Sequence, residues 1–264
     1  MAIERIEVAR QYWRESGFSH LQRYLFARER IEGRVLDVAC GVGYGSYLLG
    51  ATCASVLGVD LSAEAIADAR AHHLRPNVAF HLGSLSEVPS TTPFDAAVCL
   101  ETIEHVSDPH VFLKELHGRL KPGGRLVLSA PNVLQHTRAS PPVPNPYHHH
   151  EPTYAELLAW IAPFFVLEEE WEQTRLLAPQ HDRIESLALA GATVGQYKTV
   201  RWLMGLERFL RRLTGRTLPP VVPAVNPTDA LIAETALVPL LPARREIAHT
   251  FLIVARRNDA IPPS

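Results

Sequence analysis

Short apolar runs alternate with helical stretches along the first half of the chain. Val35, Leu36 and Val38 open the series. A run with so little polar alternation suits a strand buried on both faces of a parallel sheet. Residues 56–60 (VLGVD), 77–82 (NVAFHL), 94–100 (FDAAVCL) and 125–130 (RLVLSA) read as further strands. Between them, the stretch from Ser46, the alanine-rich AEAIADARAHH behind Ser62, and residues 106–120 read as helices. Ser62 suits an N-cap, and Lys121-Pro-Gly-Gly has the residues of a turn. Strands and helices in strict alternation predict a doubly wound, parallel α/β sheet. Beyond it, residues 153–161 read as a helix, 164–171 as a sixth strand and 247–255 as the last one.

This divides the chain into a helical lead-in (1–32), a core (33–173), an insertion (174–246) and a last strand with a tail (247–264). Residues 131–152 turn to Pro, His and Asn with little periodicity; a loop of that length in a compact domain usually carries function. The insertion reads as helical over 184–213 and as extended and proline-rich over 219–242. Its helix carries Lys198, Arg201, Arg208, Arg211, Arg212 and Arg216 beside apolar residues. That fits a solvated basic face, a lid over a phosphate-bearing acceptor, or a homodimer contact.

Composition narrows the function classes. At 264 residues and 47% hydrophobic, the chain can bury a full core. A net charge of −2 provides no basic field for nucleic acid. Cys40, Cys53 and Cys99 lack metal-finger spacing and read as reduced apolar residues. The charged N-terminus has no apolar signal region, and no apolar run reaches the roughly 18 residues of a membrane span. The expectation is a cytoplasmic protein without a membrane span.

The first chemistry lies just after the first strand. Gly41, Gly43 and Gly45 lead into a helix, so bare backbone and free N–H groups face a ligand. Asp60 ends the second strand 19 residues after Gly41, a spacing that suits a carboxylate on ribose hydroxyls. The motif from Asp37, D-x-x-C-G-x-G-x-G, resembles the S-adenosylmethionine (SAM) site of class I methyltransferases. That resemblance implies a Rossmann-like, seven-stranded sheet with the last strand antiparallel between the fifth and sixth. It also implies roles. Ala39, Gly41 and Gly43 would hold the methionine end with Asp37 supporting that loop, Asp60 and Leu61 the ribose side, Ser84 and Leu85 the adenine, with Glu101 on the rim. Ser84 stands where relatives often carry Asp. The segment His20–Arg28 resembles the lead-in helix that packs over the methionine end in methyltransferases of glycan and cell-surface polysaccharide pathways.

A second constellation follows the fourth strand. In a helix, Glu101, Glu104 and His105 would share one face, and two carboxylates with an imidazole suit Mg2+, Mn2+ or Fe2+. The motif E-x-x-E-H resembles two metal-dependent families: O-methyltransferases of ubiquinone biosynthesis, and enzymes that methylate the terminal 2′-hydroxyl of small RNAs. In the latter a histidine from a later H-x-x-E completes the site, which implies His148, in His148-x-x-Glu151. The alternative is local hydrogen bonding with no metal, since E-H-V also occurs in relatives with no known metal. Asn-Pro-Tyr-His148 likewise resembles a loop of the glycan-pathway enzymes. Without a metal, His105, His149, His150 and His136 are the candidate bases.

Together these residues predict a SAM-dependent methyltransferase acting on oxygen. The expected acceptor is a hydroxyl of a sugar-containing, nucleotide-linked or polyhydroxylated small molecule, in a vicinal diol if the metal is present. The rival enzyme readings are a catechol of a quinone precursor, or transfer to carbon or nitrogen. A partner protein that binds SAM without catalysis is the reading from another class.

Overall fold

The computed structural model describes residues 15–88, 92–136, 147–173, 237–245, 248 and 250–260. The expected alternation is present. Helix α1 (Glu15–Arg28) leads into β1 (Arg34–Val38), α2 (Tyr44–Leu49), β2 (Ser55–Asp60), α3 (Ala63–His72) and β3 (Val78–Leu82). Strand β4 (Phe94–Leu100), α4 (Pro109–Arg119), β5 (Leu120–Pro131) and the short α5 (Val133–His136) follow. Helix α6 (Tyr154–Ile161), β6 (Phe165–Gln173), β7 (Val238–Pro239) and β8 (Thr250–Arg257) complete the chain. The strands form one sheet in the order β3-β2-β1-β4-β5-β8-β6-β7. Strands β3 to β5 pair in parallel, and β8 runs antiparallel to both β5 and β6. The seven expected strands are thus all there, in a class I methyltransferase arrangement. An eighth, the two-residue β7, pairs with the outer edge of β6.

Period-two alternation sends each strand's side chains to two cores. Leu36 and Val38 pack with Leu113 and Leu116 of α4 and Leu157 and Ile161 of α6. Val35 packs on the other face with Tyr24 and Ala27 of α1 and Leu49 of α2. Asp37 has the same parity as Val35, so a fully buried carboxylate stands on the α1 face. The three cysteines are buried free thiols, and burial pushes those of Cys40 and Cys99 well above the ordinary thiol range.

Ser62 caps α3 as expected, its hydroxyl accepting the Ala65 N–H. Helix α4 starts at Pro109, later than residue 106, because the Asp108 carboxylate accepts the N–H groups of His110 and Val111. Lys121–Gly124 forms no separate turn: it loops out within β5, where the register jumps between Leu120 and Arg125. Most of the insertion, including the basic stretch expected to be helical, lies outside the described residues. Among them no helix is long and apolar enough to cross a membrane.

Candidate active site

The sheet reverses its winding between β1 and β4, and ligands of open α/β sheets bind beyond the carboxyl ends of strands at such a point. Ala39 (φ +57°), just past β1, and Glu101 (φ +48°), just past β4, flank it. Among the described residues they are the only non-glycine positions with positive φ. Such strain gathers at functional sites because surrounding structure must hold it in place.

The two central glycines serve different ends. A Cβ on Gly41 would meet nothing within 4 Å, so its backbone faces open space, as a ligand cradle requires. Gly43 caps α2 at φ +84°, where a Cβ would lie 2.6 Å from the Ala69 side chain. It shapes the turn. Gly45 is a packing position: its Cβ would fall 2.0 Å from the Tyr24 ring.

Polar contacts lock this loop. The Gly41 N–H donates to Asp60 at 2.8 Å, and the Ser62 N–H donates to its other carboxylate oxygen at 2.8 Å. Asp60 therefore ties the cradle to β2 and stays partly exposed beside it, with Leu61 fully outward. Asp37 supports the loop from below: it accepts the Tyr24 hydroxyl at 3.0 Å and the Ser46 hydroxyl at 2.6 Å. Burial drives its pKa up from 3.8 to about 7, against the lowering effect of those two bonds. His20 is held by the Tyr44 hydroxyl, and burial, aided by the Arg23 charge, lowers it to about 3.

A pH test follows for Asp37. Unfolded, the carboxyl ionises near 4; folded, it ionises near 7. The protonated form is therefore favoured by folding, and its stabilising effect is lost as pH rises between those values. The thermal midpoint of the wild type should fall relative to Asp37→Asn from pH 4 to pH 7, and the difference should level off above that. Parallel midpoint curves would contradict the assignment.

At the turn expected to border the adenine, Leu85 is buried but Ser84 is engaged. Ser84 heads a one-turn 3-10 helix, and its N–H and hydroxyl both bond the Glu87 carboxylate, at 2.6 and 2.8 Å. Glu87 is thus the acid beside this serine.

The second constellation assembles with one member elsewhere. Glu101 is followed by a 3-10 turn (Ile103–His105), so Glu101, Glu104 and His105 do not share one helical face. Glu101 accepts the Ser129 hydroxyl at 2.8 Å and lies 3.5 Å from the Arg23 guanidinium. Glu104, His105 and His148 do come together, each offering one ligand atom within 4.8 Å of the others. The loop from Tyr147 is pinned there by the His149 and His150 N–H groups, which both donate to the Glu104 carbonyl.

Each imidazole is oriented through Nδ1. That of His105 donates to the Tyr147 carbonyl at 3.0 Å, and that of His148 meets the Glu151 carboxylate at 2.5 Å. With carbonyl and carboxylate partners on Nδ1, Nε2 is the nitrogen that each ring would offer to a metal. Glu104 is 1% exposed, and among the described residues neither of its oxygens has a hydrogen-bond donor. Burial, and next the Glu101 charge, push its pKa well above the usual carboxylate range. His149 and His150 are exposed, and His150 turns to Glu156 and the Trp160 ring. The side chain of His136 lies outside the described residues.

Arg23 and Ser129 contact Glu101, Tyr24 contacts Asp37 and Glu151 contacts His148, partnerships that spacing alone does not show. For Arg23 and Tyr24 the signals are the His20–Arg28 segment and the spacing from His20, which puts all three on one face of α1.

A family model described as a methyltransferase domain matches residues 36–128. The chain is 39% identical over 114 residues to a ubiquinone biosynthesis O-methyltransferase of Xanthomonas campestris, covering 41% of this chain and 48% of that protein. It is 34% identical over 154 residues to one of Xanthomonas oryzae, covering 52% and 64%. The chain thus spans about half to two thirds of the length of these curated relatives. Two solved structures share the fold. One is a chain of the complex between the Haloferax volcanii Trm112 methyltransferase activator and a methyltransferase. It has a TM-score of 0.56 at 17% identity, covering 96% of this chain and 99% of that one. The other is a TehB-like SAM-dependent methyltransferase of Corynebacterium glutamicum, at 0.51 and 15%, covering 90% and 87%. In sheet order, glycine-rich turn and the domain matched over residues 36–128, this chain is similar to the class I SAM-dependent methyltransferases.

Proposed function

We propose that this protein transfers a methyl group from SAM to one hydroxyl of a vicinal diol, on a sugar-containing or polyhydroxylated small molecule, with a divalent metal on Glu104, His105 and His148. The observation that carries the reading is Glu104. A buried carboxylate without a donor costs several kcal/mol unless it is protonated or bound to a cation, and two oriented imidazoles stand beside it. That donor set fits a metal. With two nitrogens it suits Mn2+ or Fe2+ better than Mg2+, which prefers oxygen.

SAM supplies an electrophilic methyl group, and a divalent cation supplies Lewis acidity that acidifies a hydroxyl. The chain's own residues do the rest. Gly41 offers open backbone to the methionine end, Asp60 faces the ribose and Ser84 with Leu85 borders the adenine. Helix α1 closes the cradle through Tyr24 on Asp37. Glu151 and the Tyr147 carbonyl keep both histidines aimed, so the acceptor meets a fixed site; positioning is most of the catalysis of an in-line displacement. Once His105 serves as a ligand, exposed His149, anchored through its N–H on Glu104, is the base.

A catechol ring is the second reading, favoured by the ubiquinone-pathway relatives. Radiolabelled methyl transfer, with catechols and sugar diols compared as acceptors, separates the two. Activity should vanish in EDTA and return with Mn2+. Full activity in EDTA would remove the metal. Tight S-adenosylhomocysteine binding without transfer to any acceptor would instead favour a non-catalytic partner. The lid or dimer role of the insertion is open to the same assay on an insertion-deleted chain.

A further inference from the structure

Glu101 and Glu104 stand three residues apart at the same rim, yet only one joins the histidines. The reason is visible in the packing. Glu101 sits in a left-handed turn that extends the β4–β5 ladder by one residue: its N–H donates to the Ser129 carbonyl and to the Ser129 hydroxyl. The same hydroxyl donates back to the Glu101 carboxylate at 2.8 Å. On the other side lies Arg23, 7% exposed, with a guanidinium nitrogen 3.5 Å from that carboxylate. Arg23 is itself fixed, because its Nε donates to Gln173 at 2.8 Å, and Gln173 in turn donates to the Ser19 carbonyl. A buried guanidinium needs a counter-charge, and Glu101 provides one.

We infer that Arg23 and Ser129 are positioning residues that withhold Glu101 from the metal. The site is then a three-donor centre, Glu104–His105–His148, with an open face for both oxygens of a chelating diol. The inference rests on the metal reading above and deepens it. A second carboxylate, as fourth protein ligand, would tighten the cation but occupy a position that the acceptor needs; sites with two histidines and one carboxylate keep such positions open. A carboxylate withheld from the ion also leaves it more positive, hence a stronger acid toward the diol.

The test is calorimetric titration of the metal-free protein with Mn2+, followed by titration of the Mn2+-loaded protein with catechol as a chelating probe. Glu104→Gln should weaken Mn2+ at least tenfold, whereas Glu101→Gln should leave it within about twofold. Ser129→Ala and Arg23→Met, which release Glu101, should tighten Mn2+ several-fold and weaken catechol by a similar factor. A merely structural role for Arg23 would weaken both ligands together. If Glu101→Gln weakens Mn2+ as much as Glu104→Gln, Glu101 is a ligand and this inference fails while the metal reading survives. If the wild type takes up no Mn2+, or Glu104→Gln changes nothing, both fail. Because Arg23 is buried, Ser129→Ala decides the matter if Arg23→Met does not fold.

Discussion

Glu104→Gln should reduce methyl transfer at least 100-fold and, in the absence of metal, make the protein more stable. Both effects come from one carboxyl. Gln keeps the size but cannot be the anionic donor of a metal centre. Loss of a mere outer partner already costs roughly 10–100-fold in affinity or activity, so loss of a ligand should cost more. Stability moves the other way, because the wild type buries a carboxyl with no hydrogen-bond donor among the described residues. Its folded pKa lies well above 4.5. The penalty is therefore absent in acid and grows as pH rises above the unfolded value. Unfolding midpoints in EDTA should favour the variant at neutral pH, with the two proteins converging toward pH 4. A variant that is inactive but no more stable would mean that the wild-type carboxyl is already satisfied without metal. S-adenosylhomocysteine affinity should be unchanged, since the cradle lies on other residues.

Gly45→Ala should lower stability by about 1–3 kcal/mol, the usual range for overpacking, and weaken S-adenosylhomocysteine at least tenfold. The added methyl would land 2.0 Å from the Tyr24 ring, far inside contact distance. Tyr24 is 2% exposed, and its hydroxyl holds Asp37, so the ring cannot yield without α1 leaving the cradle. A double-mutant cycle isolates the cause. In a Tyr24→Ala background the ring is gone, and Gly45→Ala should then be near neutral for stability. Equal penalties in both backgrounds would show that the helix, not the ring, resists the methyl group.

The legible parts of this chain are those where one residue acts on its near neighbours. Apolar runs marked most of the seven principal strands, because a doubly buried strand must be apolar on both faces whatever packs on it; β6, with Glu168, Glu169 and Glu170, is the exception. Strand β7 was not legible: two residues carry no period, and their pairing depends on where β6 exposes an edge. The glycines were visible as a motif, but not their division of labour. That Gly41 faces open space while Gly45 faces Tyr24 depends on the α1 contact, 21 residues away in the chain. The start of α4 at Pro109, and the looping-out of Lys121–Gly124 within β5, likewise depended on caps and register.

The candidate site divides along the same line. Sequence alone determined the nucleoside-type cradle, the acid at Asp60 and the presence of Glu104, His105 and His148 as metal-ligating types. These follow from local geometry: a strand, a bare turn and a helix fall within one short stretch. Only the tertiary structure decided which acid joins the histidines. Spacing treats Glu101 and Glu104 alike, but one meets Ser129 from β5 and Arg23 from α1, and the other is buried beside two imidazoles. Electrostatic partners are chosen by proximity in space, and in a doubly wound sheet that proximity is set by which strands and helices become neighbours.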